Sequence, residues 1–421
     1  MTASEVRALF AVASRPEVVS LAGGMPSVSA LPLDAVAEVV HRLVADRGAV
    51  ALQYGSGQGD PRLREQICEV MALEGVRAHP DDVVVTTGSQ QALDLVTRLF
   101  VDPGDVILVE APSYVGALSA FRSYQAEVVH VGMDEHGLRP EDLRHALAAC
   151  AQAGKRAKFL YIIPNFHNPA GVSLSVSRRA EVLRICHDAD LLIVEDNPYG
   201  LLGFDGEPRR ALRADDGEGV IYLGTFSKTF APGFRVGWAV APHAVREKLV
   251  LASEATQLCP SSFSQLAVST YLSTQPWKEQ IKTFRELYRE RRDAMLETLD
   301  LVMPTGTTWT RPGGGFYVWL TLPSGLDATA MLPRAVTARV AYVPGTAFYA
   351  DGLGSWSMRL SYCYPTPERI KEGVRRLGSV VDQELELRQT FGAPPLAGRP
   401  AAPGRGAPED GRVQGPSPDQ A

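Results

Sequence analysis

The chain has little of what would tie it to a membrane, a disulfide framework or a nucleic acid. No stretch approaches the ~20 consecutive apolar residues that a membrane-spanning helix needs. Met1 to Val12 lacks the charged start and long apolar run of a secretory signal. Cysteine is sparse: Cys68, Cys150, Cys186, Cys259 and Cys363 are scattered, with no CxxC pair and no metal-ligand spacing. An odd, dispersed set reads as reduced thiols, so no metal is expected and the cytoplasm is the expected compartment. No long basic run occurs, and a net charge of -6 with a pI of about 5.8 makes nucleic acid a poor partner. Neither a GKS/GKT phosphate loop nor a GxGxxG dinucleotide fingerprint is present.

What remains is the balance of a soluble globular protein: 45% apolar and 21% charged residues over 421 positions. That length exceeds what one hydrophobic core usually organises, so two domains are expected. Seven short β-branched or apolar runs read as strands: Val83–Thr86, Val106–Val109, Glu127–Val131, Phe159–Ile163, Leu191–Val194, Val220–Leu223 and Val236–Val240. Several are apolar on both faces, as strands covered by helices on each side must be. Between them lie helical stretches such as Gln90–Phe100, whose Leu93, Val96, Leu99 and Phe100 form one stripe. Strand–helix–strand repetition predicts an α/β fold with a mostly parallel sheet. A long amphipathic helix is expected from about Lys278 to Leu301, with Ile281, Phe284, Tyr288, Met295 and Leu299 inward. A second, shorter α/β stretch follows, from Trp309 to about Leu387. From Phe391 onward 13 of the last 31 residues are Pro or Gly, a composition that predicts a disordered tail.

Four segments carry the chemistry. Gly224-Thr225-Phe226-Ser227-Lys228-Thr229-Phe230-Ala231-Pro232-Gly233-Phe234-Arg235 puts a lysine just beyond a strand's carboxyl end, where ligands of open α/β sheets bind. A partly desolvated lysine can form a Schiff base with an aldehyde. The hydroxyls of Thr225 and Ser227, with the Arg235 guanidinium, suit a phosphate. In Leu191-Leu192-Ile193-Val194-Glu195-Asp196-Asn197-Pro198-Tyr199, apolar residues lead straight to a carboxylate. Asp196 suits a pyridinium nitrogen, although a helix cap or turn reads equally well from it alone. Tyr199 is placed to hydrogen-bond a ring hydroxyl. In Pro164-Asn165-Phe166-His167-Asn168-Pro169-Ala170-Gly171, Asn168 is either a turn former or a donor to a phenolate oxygen. Thr86-Thr87-Gly88-Ser89-Gln90-Gln91-Ala92 is a strand-to-helix junction, whose free N–H groups and dipole favour an anion. Ser89 alone is also an ordinary N-cap.

The order and spacing of these four segments resemble the class I/II aminotransferases of pyridoxal-phosphate (PLP) fold type I. The flanking sequence is most similar to the 2-aminoadipate (LysN-type) and kynurenine aminotransferase subgroup. The similarity runs from about Ser4 to Val381. It includes Ser20-Leu21-Ala22-Gly23-Gly24-Met25-Pro26, Ala51-Leu52-Gln53-Tyr54, Glu110-Ala111-Pro112-Ser113-Tyr114 and Arg311-Pro312-Gly313-Gly314-Gly315-Phe316. The resemblance implies a large domain with a seven-stranded sheet, and a smaller α/β domain built from the C-terminal part and the N-terminal segment. Boundaries follow as 1–48 for that segment, 49–290 for the PLP-binding domain, 291–390 for the small domain and 391–421 for the tail.

The resemblance also implies roles. Lys228 holds pyridoxal 5'-phosphate as a Schiff base, Asp196 pairs with its ring nitrogen, and Asn168 and Tyr199 hold its 3-oxygen. Tyr114 stacks on the ring, while Ser89, Gln90, Thr225, Ser227 and Arg235 bind the phosphate. Tyr54 reaches the phosphate from the neighbouring subunit, which implies a homodimer with shared sites. Arg359, in Ser357-Met358-Arg359-Leu360-Ser361, grips the substrate α-carboxylate, for which a bidentate fork suits better than an ammonium. Gly23 and Gly24 match a loop that lets substrate approach the backbone. Arg7 aligns with an arginine that reads a distal carboxylate, or is simply an exposed helical arginine. Two positions depart from the common pattern: His167 stands where glutamine is usual, adding a titratable group near the site, and Thr225 where many relatives have serine.

The implied reaction is transamination: an amino acid gives its amino group to the cofactor, and a 2-oxo acid, expected to be 2-oxoglutarate, takes it in a ping-pong cycle. A PLP oxidase, cyclase or lyase of the same fold is the alternative. A transcription regulator fused to such a domain is not expected, because the similarity begins within the first few residues. Retention of Lys228, Asp196 and Arg359 argues against a catalytically dead scaffold.

Overall fold

The seven expected strands form, and their side-chain alternation explains why they read as apolar throughout. A computed structural model describes residues 15–391. In it Val106 and Leu108 point to one face of the main sheet, where helices Pro140–Gln152 and Val176–Asp188 cover them. Ile107 and Val109 point to the other, beneath helices Ser89–Phe100 and Val115–Ser123. The same period of two sends Leu160 and Ile162 one way, Phe159 and Tyr161 the other. Both faces are therefore dry, and no polar alternation is left in the sequence.

The sheet has eight strands, in the order Val83–Thr86, Gly237–Val240, Val220–Thr225, Leu192–Asp196, Ala157–Ile162, Val106–Ala111, Glu127–Asp134 and Gly137–Leu138. The eighth is a two-residue antiparallel turn-back onto Glu127–Asp134, too short to leave a sequence pattern. Five neighbouring strands run parallel, and Gly237–Val240 lies antiparallel between Val83–Thr86 and Val220–Thr225. In that ladder Gly237 faces Thr86 on one side and Thr225 on the other. A Cβ at Gly237 would lie 2.5 Å from the Gly88 carbonyl carbon and the Ser89 nitrogen, so only glycine lets the helix start this close.

The long helix runs Trp277–Val302, with all five expected apolar residues buried. It packs on the last helix, Pro367–Phe391, which continues to the point where the tail was expected to begin. Beside them lies a four-stranded antiparallel sheet ordered Thr308–Trp309, Tyr317–Thr321, Ser357–Ser361 and Val343–Pro344. Near the other end of the chain, Val19–Ser20 pairs in parallel with Val340–Ala341. The N-terminal segment thus enters the smaller α/β unit, which is the arrangement of PLP fold type I. Arg7 and residues 392–421 lie outside the described residues. Among the described residues, no helix is long and apolar enough to cross a membrane.

Candidate active site

Four of the five parallel strands, Val106–Ala111, Ala157–Ile162, Leu192–Asp196 and Val220–Thr225, hand their last or next few residues to a common cavity of about 330 Å³. Its lining includes Gly24, Ser89, Gln90, Tyr114, Asn168, Asp196, Tyr199, Thr225, Ser227, Lys228, Arg235 and Arg359. Twelve residues picked out from the sequence, spread over more than three hundred positions, therefore meet in one place.

Asp196 ends its strand and is 5% exposed. Its Oδ2 accepts the Tyr161 hydroxyl at 2.8 Å, while its Oδ1 is buried without a partner. Burial raises its pKa to about 6, against the pull of Tyr161 and Lys228 in the opposite direction. A buried, unpartnered carboxylate oxygen costs stability unless a donor reaches it. A protonated pyridine nitrogen is such a donor, so this oxygen fits the cofactor.

Lys228 follows the strand Val220–Thr225, and its Nζ donates to the Gly24 carbonyl at 3.0 Å. Burial is the main force lowering its pKa, with Arg359 and Arg235 adding repulsion. A lowered pKa enlarges the fraction of free amine at neutral pH, the form that attacks an aldehyde.

The anion cradle is assembled from two elements. Helix Ser89–Phe100 begins here with no side chain capping it. Opposite, the Thr225 and Ser227 hydroxyls are 2.9 Å apart and Arg235 Nη1 reaches Ser227 Oγ at 3.3 Å. Arg235 holds a left-handed backbone at φ 54°, which turns its side chain back toward Thr87, whose carbonyl accepts from Nη2. Gln90 accepts the Tyr114 hydroxyl at 3.3 Å and donates to the Gly116 carbonyl at 3.1 Å. Burial pushes the Tyr114 phenol up to about 12, so it remains neutral.

Arg359 lies mid-strand, paired in register with Trp319 and Val343. Nη1 donates to Asn168 Oδ1 at 2.9 Å and Nη2 to the Ala22 carbonyl at 2.7 Å. The guanidinium carbon sits 4.2 Å from the Tyr317 ring centroid and 5.0 Å from that of Phe348. The guanidinium is buried and lies against two aromatic rings.

Six residues differ from expectation or were missed. Gly24 was assigned to substrate approach, yet a Cβ there would lie 2.1 Å from the Tyr317 hydroxyl, so its neighbour already requires glycine. Gly23 is not among the cavity-lining residues; its carbonyl faces Cys363 Sγ at 3.7 Å. Tyr161 and Tyr317 escaped the sequence reading. Tyr161 sits within an apolar strand run and Tyr317 directly after Gly313-Gly314-Gly315-Phe316, a glycine cluster whose next aromatic was the available signal. His167 does not line the cavity: it is fully buried against Glu110. Tyr54 is 77% exposed and absent from the cavity of its own chain.

Residues 16–377 match the family "Aminotransferase class I and II". The chain belongs to that family. It is 43% identical over 389 residues to aromatic-amino-acid aminotransferase 1 of Thermococcus litoralis, covering 92% of this chain and 93% of that one. To the 2-aminoadipate transaminase of Thermus thermophilus it is 40% identical over 390 residues, covering 91% and 95%. Among solved structures, the kynurenine aminotransferase of Pyrococcus horikoshii superposes with a TM-score of 0.88 at 40% identity, covering 91% of this chain and 96% of that one. The protein is accordingly a PLP-dependent aminotransferase, moving an amino group between an amino acid and a 2-oxo acid.

Proposed function

We propose that transamination here is carried by Lys228, Asp196, Asn168, Tyr199, Arg235 and Arg359, in the roles that follow. The observation that carries this reading is the buried, unpartnered Oδ1 of Asp196 in the same cavity as the Lys228 amine. Pyridoxal phosphate supplies an aldehyde that exchanges amines and a charged ring that stores the electron pair left at the substrate Cα. Asp196 keeps the ring nitrogen protonated, and Tyr161 keeps Asp196 aimed. Lys228 Nζ would take the substrate Cα proton as general base and, once protonated, give it back as general acid. Asn168 and Tyr199 hold the ring's 3-oxygen, Tyr114 covers a ring face, and Ser89, Gln90, Thr225, Ser227 and Arg235 hold the phosphate. Arg359 fixes the α-carboxylate, setting which Cα bond breaks. Borohydride reduction of the yellow protein should attach the pyridoxyl group to Lys228, identified by peptide mapping. An adduct on another lysine defeats the assignment.

The described cavity suits an apolar or aromatic amino donor. Its cations, Lys228, Arg235 and Arg359, are all committed, and Met25, Val115, Ile163 and Tyr317 complete the wall. An acidic donor needs a further cation, a part that suits Arg7. Incubation with the twenty common amino acids and 2-aminoadipate, scored by loss of the aldehyde absorption, tests this.

We also propose a homodimer in the cytoplasm. All five cysteines are free, as a reducing compartment requires. Tyr54 adjoins an exposed apolar run, Val50 at 55% and Leu52 at 73%, that a second copy would cover. If each site borrows the partner's Tyr54, mixing Tyr54→Ala and Lys228→Ala chains should restore activity. Random pairing would leave roughly a quarter of sites with both native residues. No recovery from chains shown to exchange subunits would contradict the shared site.

A further inference from the structure

His167 and Glu110 lie directly behind the cavity and have no part in the roles above. Glu110 is 1% exposed, near the end of strand Val106–Ala111, and His167 is fully buried in the loop after strand Ala157–Ile162. His167 Nε2 stands 3.1 Å from Glu110 Oε2, a close polar contact whose angle falls short of an aligned hydrogen bond. The same Oε2 accepts the Ile163 N–H at 2.7 Å. On the other side of the ring, Nδ1 accepts the Ala170 N–H at 3.2 Å, which places the ring proton on Nε2, facing the carboxylate.

The backbone bonds of this loop close on the loop itself. His167 N–H donates to the Val172 carbonyl at 2.8 Å, and the His167 carbonyl accepts from Gly171 at 2.6 Å. Phe166 N–H donates to Ser173 Oγ at 2.9 Å. Such a loop has its own shape, and its start is tied down by Asn165, which donates to Asn197 Oδ1 at 3.2 Å and accepts from Arg179 Nη2 at 2.7 Å. The His167–Glu110 contact fixes the next stretch of it to the end of strand Val106–Ala111. One residue on, Asn168 Oδ1 meets Arg359 Nη1 at 2.9 Å, so the chain of contacts runs Glu110, His167, Asn168, Arg359.

We infer that His167, braced on Glu110, is a positioning residue for the carboxylate grip: it seats the Asn168 amide that aligns the Arg359 guanidinium. This rests on the assignment of Arg359 to the substrate carboxylate. With an apolar side chain at position 167, the Glu110 carboxylate keeps only the Ile163 N–H as a hydrogen-bond partner among those described, and the loop loses its polar tie at position 167 while keeping the one at Asn165. A carboxamide there can still donate toward Glu110 and accept from Ala170, so glutamine should serve where leucine fails.

The test uses loaded enzyme carrying His167→Leu, His167→Gln or Glu110→Gln, with borohydride mapping to Lys228 first. A wild-type protein without that adduct would fail the proposed function, not this inference. Hexanoate, a carboxylate without an amino group, is then titrated as a competitor and by its shift of the cofactor absorption band. It needs the grip but undergoes no chemistry. His167→Leu should weaken hexanoate binding and raise the amino-acid KM by about tenfold, with kcat within about threefold. His167→Gln should return both constants to within about threefold of wild type. Unchanged hexanoate affinity in folded, loaded His167→Leu overturns the inference, as does failure of His167→Gln to do better. Should His167→Leu not fold, Glu110→Gln decides. It keeps an acceptor for Ile163 but removes the charge, and should weaken hexanoate by about threefold or more. No change there also overturns it.

Discussion

Lys228→Ala protein should remain folded, bind pyridoxal phosphate loosely and lose turnover by roughly 10⁴-fold or more, the upper end of what a positioned general base supplies. The Lys228 amine is buried, and that burial disfavours its charged form. Its polar contacts, the 3.0 Å bond to the Gly24 carbonyl and a 5.6 Å approach to the Phe316 ring, are spent on positioning. Removing it therefore costs little folding energy and, on the proposed roles, all of the proton transfer. Thermal unfolding should be near wild type while single-turnover formation of the amine form of the cofactor nearly vanishes. Retention of even 1% of kcat would show that another group carries the proton.

The sheet and most of the site were legible because their signals are local. Apolar runs such as Val106-Ile107-Leu108-Val109 read as strands with both faces covered, and Asp196 and Lys228 announce themselves at strand ends. The smaller α/β unit was harder to read. Val19–Ser20 meets Val340–Ala341 across most of the chain, and two-residue strands such as Val343–Pro344 leave no period to detect. Tyr161 illustrates a different limit. It looks like any aromatic in Phe159-Leu160-Tyr161-Ile162, and it reaches Asp196 because parallel pairing sets Tyr161 beside Val194, two residues before that carboxylate. The contact between His167 and Glu110 likewise depends on two strand ends lying next to each other, which no spacing in the sequence encodes. Gly24 was read as a position for substrate approach, and what the sequence could not show is the hydroxyl of Tyr317, far away in sequence, standing where its Cβ would lie.

Arg359→Lys should lower kcat/KM for every amino donor by roughly 10²-fold or more, on the order of 3 kcal/mol. The two terminal guanidinium nitrogens of Arg359 hold Asn168 and the Ala22 carbonyl at 2.9 and 2.7 Å, with the group packed against the Tyr317 and Phe348 rings. An ammonium keeps the charge but offers no second arm and no flat face, so it cannot hold Asn168 and grip both carboxylate oxygens at once. Every substrate has an α-carboxylate, and burying it in this dry cavity demands a paired cation. The loss should accordingly be similar for phenylalanine, leucine and 2-aminoadipate. Arg7→Ala provides the contrast. If Arg7 supplies the further cation for a distal carboxylate, its removal should depress kcat/KM for glutamate and 2-aminoadipate and spare leucine and phenylalanine. Equal losses on both groups would make Arg7 a support of the N-terminal segment, and no loss on either would remove it from recognition. A loss in Arg359→Lys confined to acidic donors would reverse the two assignments, placing the α-carboxylate elsewhere in the cavity.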